Sequence, residues 1–98
     1  MATSRQLLAR IRALGPMVHG SLIEATRTCG KKGCRCARGE PHMAFYLSRR
    51  VQGKTQLEHV SRGDVKTVRR WRKEHDRLRA LVEELTGALL RELREADR

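Results

Sequence analysis

All three cysteines of this 98-residue chain fall within eight residues, in a stretch too rich in glycine and basic residues for regular secondary structure. Cys29, Cys34 and Cys36 are followed by His42, which gives the spacing C-x4-C-x-C-x5-H. Zn²⁺ in a structural site takes four sulfur or nitrogen ligands in a tetrahedron, and three cysteines with one histidine form a common ligand set. We therefore predict one Zn²⁺ per chain, bound by a knuckle that contains these four residues.

Other interpretations of the cysteines stay open. His59 or His19 can replace His42 as the fourth ligand if the strands bring either one close. A disulfide framework fits less well, because three cysteines leave one over and no secretory signal is evident. Reactive thiols are a further alternative, since cationic neighbours favour the thiolate form. The cationic neighbours here are Lys31, Lys32, Arg35 and Arg38.

The small size and sparse aromatic content of the chain explain why a metal would stabilise it. Only 39% of residues are hydrophobic, and the aromatic residues are Phe45, Tyr46 and Trp71. A domain of this size is marginally stable without a metal, a disulfide or a partner chain. No apolar run approaches the roughly 20 residues of a membrane span. The motifs of nucleotide-binding loops, metalloproteases and serine hydrolases do not occur, so we expect a protein that is not an enzyme. Because no secretory signal is evident, we also expect it to be cytoplasmic.

Hydrophobic periodicity predicts an α+β fold in one domain over residues 1–98. The predicted elements, in chain order, are a short helix over 3–14, strands over 20–29, 44–51 and 54–60, and a long helix over 61–97. The three strands are expected to form a small antiparallel sheet. The zinc knuckle and the hairpin then make up a basic core over residues 18–60.

Local signals predict where these elements begin and end. Side-chain oxygens cap helix N-termini, glycine and proline follow helix C-termini, and glycine is favoured in two-residue hairpin turns. The signals here are a Thr3 or Ser4 cap, a Gly15-Pro16 stop with glycine at the C′ position, a Gln52-Gly53 turn, and a capping box formed by Ser61 and Asp64.

The long C-terminal helix carries an apolar stripe with the period of a coiled coil. The stripe follows 4-3-4-3-4 spacing through Trp71, His75, Leu78, Val82, Leu85 and Leu89. Such a repeat is typical of the seam of a helical hairpin or coiled coil. A small core cannot cover so long a helix, so its distal half must meet either the N-terminal helix or a second protomer. We expect these apolar residues, Trp71, Leu78, Val82, Leu85 and Leu89, to act in assembly.

The formal net charge of +11 belongs to one segment, residues 27–73, where 14 Lys and Arg stand against 3 acidic residues. Charge of this density predicts a polyanionic partner, most simply nucleic acid. An anionic membrane is disfavoured because it requires a basic amphipathic helix with bulky apolar residues opposite. The expected nucleic-acid contacts are Lys31, Lys32, Arg35, Arg38, Arg49, Arg50, Lys54, Arg62, Lys66, Arg69, Arg70 and Lys73.

The helical cations in this set recur every three or four residues and form one basic stripe near the helix N-terminus. That end of a helix prefers anions, so the placement itself favours a phosphate backbone as partner. Val65, Val68 and Trp71 lie on another side and are expected to pack on the hairpin.

Phe45 and Tyr46 are adjacent in a predicted strand and therefore face opposite ways. At most one of them can stack on single-stranded bases while the other enters the core. Packing of both in the core is an equal alternative.

A family resemblance rests on several motifs of the middle segment. They are Gly20-Ser21-Leu22-Ile23, Cys29-Gly30-Lys31, Cys34-Arg35-Cys36-Ala37-Arg38-Gly39, Pro41-His42, Phe45-Tyr46-Leu47-Ser48-Arg49-Arg50 and Gly53-Lys54-Thr55. Over residues 18–85 the chain resembles a family of small bacterial proteins of unknown function, many of which accompany transposons or other mobile elements. Met43-Ala44-Phe45-Tyr46 stands here where the family often has G-P-Y-Y. The resemblance implies zinc binding and a mobile-element setting, and it implies no biochemical activity.

The leading interpretation is a small zinc-stabilised nucleic-acid-binding protein of the bacterial cytoplasm or nucleoid, with DNA preferred over RNA. One alternative is an adaptor or structural protein that forms a homodimer, or docks on a partner such as a transposase, through its C-terminal heptads. Another alternative is a thiol-based redox or metal sensor. None of the three involves a membrane.

Overall fold

The computed structural model describes residues 1–27 and 42–97, without the side chains of residues 26, 27 and 42. The elements, in chain order, are helix α1 (Ser4–Arg12), strands β1 (Ser21–Arg27), β2 (His42–Val51) and β3 (Lys54–Val60), a 3₁₀ turn (Arg62–Asp64) and helix α2 (Val65–Ala96). The predicted α+β arrangement of a short helix, a three-stranded antiparallel sheet and a long helix is confirmed. Within the described residues, neither α-helix is both long enough and apolar enough to cross a membrane.

The chain divides into two compact units. The helical unit comprises Met1–Val18 and Trp71–Arg98, and the sheet unit comprises His19–Arg70. Helix α2 begins in the sheet unit and continues into the helical unit. Each unit has buried apolar side chains of its own: Leu7 and Ala88 in the helical unit, and Leu47, Val60, Val65 and Val68 in the sheet unit.

In the helical unit, α2 is partnered within the same chain. The N–H of Ser4 is donated to Glu92, the N–H of Gly15 to Glu74, and the N–H of Val18 to the Trp71 carbonyl. Residues early in the N-terminal segment thus meet residues late in α2, so the two run antiparallel. Of the two partners left open by the heptad pattern, the N-terminal helix meets α2 in cis.

Helix α1 begins as predicted and ends earlier than predicted. Thr3 caps it in a reciprocal capping box with Gln6, through bonds of 3.2 Å and 3.0 Å. The helix ends at Arg12, where the N–H of Ala13 is donated to carbonyls three and four residues back. This tightened last turn satisfies the terminal carbonyls. The expectation that Gly15 stands at a left-handed C′ position is therefore wrong, since the helix has already ended and the φ of Gly15 is not positive.

The register of the sheet sorts its side chains into two faces. The strand order is β1-β2-β3, and Tyr46 of β2 lies opposite Ile23 of β1 and His59 of β3. Directly paired residues share a face, and successive residues alternate between faces. The core face carries the buried Leu47 and Val60. We call the opposite face the open face; its described side chains are Ser21, Ile23, Ala25, Ala44, Tyr46, Ser48, Arg50, Thr55, Leu57 and His59.

The turn between β2 and β3 is the predicted two-residue hairpin. Gln52 and Gly53 both have positive φ, 51° and 81°, as a type I′ turn requires. Strand β3 has the predicted bounds, whereas β2 begins two residues earlier than the alternation predicts, at His42. The extension follows from pairing, because Arg27 of β1 continues the ladder to His42.

The start of α2 differs from the predicted capping box. The Ser61 hydroxyl donates to the Asp64 carboxylate at 2.7 Å and makes no bond to the helix backbone. The N–H of Asp64 is donated to the Ser61 carbonyl, which closes a 3₁₀ turn before α2 begins at Val65. The two side chains satisfy each other, so neither is available as a backbone cap.

Candidate nucleic-acid interface

The cysteine segment falls outside the described residues, but the structure fixes its two ends. Residues 28–41, which include Cys29, Cys34 and Cys36, connect β1 to β2. Arg27 and His42 close this connection as directly paired residues of the antiparallel ladder. Paired residues in such a ladder have Cα atoms about 5 Å apart. The chain therefore leaves and re-enters the sheet at one place, with His42 at the point of return.

The other two candidate histidines, His19 and His59, lie at different distances from the point where the chain re-enters the sheet. His19 precedes β1, while the cysteines follow it, so seven residues of extended strand, roughly 23 Å, lie between them. His59 lies in β3 opposite Tyr46, four residues along β2 from His42. Among the described residues, no group of three or more potential ligands comes together. The sheet thus favours His42 over His19 as a companion of the cysteines.

The hairpin separates two arginines that the sequence puts side by side. Arg49 lies on the core face and pairs with Glu58 at 3.6 Å. Arg50 lies on the open face, exposed, and donates to the Gly53 carbonyl at 2.9 Å. Lys54, beyond the turn, is exposed. Of the three hairpin cations, Arg49 therefore has an acidic partner beside it, and Arg50 and Lys54 face solvent.

The basic stripe on α2 forms as predicted on the solvent side of the helix. Arg62 precedes the helix in the 3₁₀ turn, and Lys66, Arg69 and Arg70 follow at helical spacing, all of them exposed. Val65 and Val68, on another side, are buried. The first turn of α2 contains no acidic residue. Lys73 is exposed on the same side of α2, in the part that belongs to the helical unit.

The sheet unit therefore concentrates positive charge. Its 52 residues contain 12 Lys and Arg against 4 Asp and Glu, a net +8. Four of those cations, Lys31, Lys32, Arg35 and Arg38, lie outside the described residues. Six others are exposed in the structure: Arg50, Lys54, Arg62, Lys66, Arg69 and Arg70.

The two strand aromatics take different positions, as adjacency in a strand requires. Phe45 lies on the core face, directly opposite Val60. Tyr46 lies on the open face, and its ring meets the His59 imidazole edge-on, with centroids 5.6 Å apart and planes at 77°. Alternation along β2 is the sequence signal for this choice, because Phe45 shares its parity with Leu47 and Val51, whereas Tyr46 shares it with Ser48 and Arg50.

The predicted assembly residues divide into covered and exposed members. Trp71, Leu78 and Leu85 are half-buried, whereas Val82 and Leu89 remain 47% and 49% exposed. Trp71 is grouped with the helical unit, where its carbonyl accepts the N–H of Val18 at 3.2 Å. Within the described residues, one side of the heptad stripe is therefore covered and the other side is largely exposed.

Sequence reasoning missed an apolar depression on the open face. Ile23, Ala25, Tyr46 and Leu57 line a shallow cavity of about 230 Å³. These residues come from three strands, and although Ile23 and Tyr46 belong to motifs of the family resemblance, no motif indicates a cavity. Strand alternation alone carries the signal, through Ile23 with Ala25 in β1.

Comparison with known proteins assigns the chain to a sequence family. No curated protein and no solved structure matches it. A family described as a domain of unknown function (DUF6788) matches residues 2–70, which extend from before α1 into the first turns of α2. This range begins and ends earlier than the resemblance over residues 18–85. The match covers more than two thirds of the chain and includes the whole sheet unit, and the chain accordingly belongs to the DUF6788 family.

Proposed function

We propose that this protein is a small zinc-stabilised nucleic-acid-binding protein that uses the sheet unit as its binding surface. The observation that carries the proposal is the net +8 of this 52-residue unit, together with the solvent exposure of six of its cations. Like charges at this density repel one another and destabilise a small fold. A bound polyanion removes that repulsion.

The position of the α2 cations supports a phosphate ligand. Lys66, Arg69 and Arg70 occupy the first two turns of a helix whose first turn has no acidic residue. The helix dipole makes this an unfavourable place for cations and a favourable one for anions. A phosphate backbone along this stripe would neutralise these cations and so remove their unfavourable interaction with the helix dipole.

Zinc is the proposed organiser of the residues between β1 and β2. Cys29, Cys34, Cys36 and His42 supply the four ligands, and the Arg27–His42 pair returns the chain to the sheet where the segment begins. The metal would fix Lys31, Lys32, Arg35 and Arg38 beside the sheet. DNA is the preferred nucleic acid and a bacterial mobile element the preferred setting, both from the family resemblance of the cysteine motif.

Salt dependence of binding tests this proposal. Six phosphate contacts predict a log–log slope of about −4 on single strands or about −5 on duplex. Affinity, measured by fluorescence anisotropy on labelled oligonucleotides, should then fall by about two to three orders of magnitude between about 50 and about 200 mM salt. An affinity that does not change with salt would contradict the proposal.

A matched pair of variants locates the surface. Replacing Arg62, Lys66, Arg69 and Arg70 together by Gln should reduce the magnitude of the log–log slope by about 3 to 4. It should also weaken binding to all sequences alike. The control removes four exposed cations of the helical unit by the same change: Arg5, Arg12, Arg79 and Arg94. Equal losses in the two variants would show that total charge, and not the sheet unit, determines binding.

A second candidate function is self-assembly through α2. Val82, Leu89 and Leu93 lie on one side of the helix and are 47%, 49% and 60% exposed. Their heptad spacing suits an antiparallel contact with the same stripe of a second copy. Sedimentation of the wild-type chain should then report a dimer and Leu89→Lys a monomer. A monomeric wild-type chain would exclude this candidate and leave nucleic-acid binding unaffected.

A further inference from the structure

The open face of the sheet combines an apolar centre with one exposed arginine, Arg50. Leu57 and Ile23 are 55% and 37% exposed there, and with Ala25 and Tyr46 they line the cavity of about 230 Å³. We call these four residues the shelf. On the core face, by contrast, Leu47 and Val60 are buried. The sheet therefore leaves a compact group of apolar side chains uncovered by the described residues of the chain.

Acidic residues are distributed unequally between the two faces, although the core face also carries Arg49 and Lys54. Glu24 lies opposite Phe45 and Glu58 opposite Leu47, so both acidic residues of the described strands belong to the core face. The open face carries Arg50 and His59, and no acidic residue among its described side chains. A ligand for this face must therefore suit apolar surface and positive charge together.

The position and orientation of the Tyr46 ring within the shelf are constrained by its neighbours. It lies in the central strand, paired on both sides, and the His59 ring meets it edge-on at 5.6 Å. Edge-to-face contacts of this kind favour one orientation of an aromatic ring. A ring fixed in this way loses little conformational freedom when a planar group stacks on it.

The charge of the sheet unit decides between possible occupants. A second copy placed face to face would bring two units of net +8 together, and that repulsion opposes a contact of only four apolar residues. A membrane surface would require protruding apolar side chains, whereas the shelf is a depression. Single-stranded nucleic acid supplies what the face lacks, namely planar apolar bases joined to regularly spaced negative charges.

We propose that the open face binds unpaired bases of single-stranded nucleic acid, with one base stacked on Tyr46 within the shelf and a phosphate further along the same nucleic-acid strand bound by Arg50. The guanidinium of Arg50 has five N–H donors, and its bond to the Gly53 carbonyl uses one of them. Bases in a duplex are already stacked and paired, so they cannot enter the shelf. This inference rests on the proposed function and adds to it the form of nucleic acid that is bound.

The experiment compares two oligonucleotides of equal charge on the wild-type protein. One is a short oligo(dT), and the other is an abasic strand of the same length, which keeps the phosphates and lacks the bases. One stacked base is expected to make oligo(dT) bind about 5-fold to about 140-fold more tightly. Equal affinities for the two strands would overturn the inference while leaving phosphate binding intact. Failure of both strands to bind would instead contradict the proposed function.

Two variants assign the difference to the shelf. Tyr46→Leu keeps the apolar bulk and should abolish the preference for oligo(dT), while Tyr46→Phe should retain it. Leu57→Ala, at a position 55% exposed, provides a second test with little effect on folding, and it should reduce the preference. Circular dichroism checks that each variant is folded. A preference that survives both Tyr46→Leu and Leu57→Ala would overturn the inference.

Two further measurements address the rejected occupants. Any binding of the protein to phosphatidylglycerol vesicles should be unchanged by Tyr46→Leu or Leu57→Ala. Sedimentation should give the same mass for the wild-type chain and Leu57→Ala. Shelf-dependent vesicle binding, or a change in oligomeric state caused by Leu57→Ala, would overturn the inference in favour of a membrane or a second copy.

Discussion

The Glu92 carboxylate accepts two hydrogen bonds from Ser4, from its backbone N–H at 3.1 Å and from its hydroxyl at 2.8 Å. The two residues are 88 positions apart in the chain and are partly buried where they meet. The first N–H groups of a helix have no partner within the helix, so a carboxylate at this place both satisfies a donor and complements the helix dipole. Glu92 thereby acts as a distant cap for α1, alongside the local cap from Thr3.

Removing the charge of Glu92 should loosen the attachment of α1. We expect Glu92→Ala to lower the free energy of unfolding by about 1–2 kcal/mol, because hydrogen bonds to charged groups contribute about that much. Urea unfolding followed by circular dichroism measures the change. The matched control is Glu95→Ala, an exposed acidic residue one turn further along α2, which should change stability by less than about 0.5 kcal/mol. Equal effects would mean that the Ser4 bonds contribute nothing.

Gly20 should tolerate no side chain. Its φ is +124°, and an added Cβ would lie 2.5 Å from the Ser48 carbonyl oxygen. Both the backbone conformation and the close approach of β2 therefore require glycine here. We expect Gly20→Ala to cost about 3 kcal/mol of stability, measured by thermal or urea unfolding. Gly63→Ala is the control, because no atom of the described residues lies within 4 Å of a Cβ at that position and its φ is not positive. A Gly20→Ala protein as stable as Gly63→Ala would refute the steric argument.

Gly87 should be replaceable with a gain in stability. It lies in the interior of α2 and has no positive φ, and an added Cβ would meet no atom of the part of the chain that the structure describes within 4 Å. Glycine costs a helix interior about 0.5–1 kcal/mol relative to alanine. Gly87→Ala is therefore expected to raise the free energy of unfolding by about that amount. A loss of stability in the same urea titration would show that the space beside Gly87 is filled in solution.

Removal of metal should unfold part of the sheet unit. Native mass spectrometry is expected to show one Zn²⁺ per chain, lost in Cys34→Ser, Cys36→Ser and His42→Gln. A structural zinc site is coupled to folding, so a chelator should lower the melting temperature. His59→Gln is the control, and it should retain the metal. Retention by His42→Gln with loss in His59→Gln would transfer the fourth ligand to β3, and a metal-free wild-type protein would exclude the zinc site.

Much of the fold follows from local pattern. The apolar spacing around Leu7, the alternation in β3 and the Gln52-Gly53 pair each depend on near neighbours in the chain, and the predicted elements at these places are confirmed. The details that were not predicted depend instead on pairing between residues that are distant in the chain. Strand β2 begins at His42 because Arg27 pairs with it, and pairing across 15 positions leaves no mark on local propensity.

The candidate site could be predicted only in part. The sequence indicated which side chains are cationic, but it did not indicate which of them have an acidic residue beside them. The sheet puts Arg49 beside Glu58 and Arg50 on the other face. The shelf was not predictable, because β1 offers apolar residues on both faces, Leu22 on one and Ile23 with Ala25 on the other. Alternation within a single strand of this kind does not reveal which face will be covered.

By itself the sequence determined the α+β composition, the strand boundaries near the hairpin, the basic stripe on α2 and the concentration of charge in the middle of the chain. These depend on residue types and on spacings of two to four positions. Tertiary structure decided which face of β1 is covered, and that α2 takes its helical partner from its own chain. The reason is that such choices depend on which surfaces distant segments cover, and the contact of Ser4 with Glu92 fixes one of them across 88 positions.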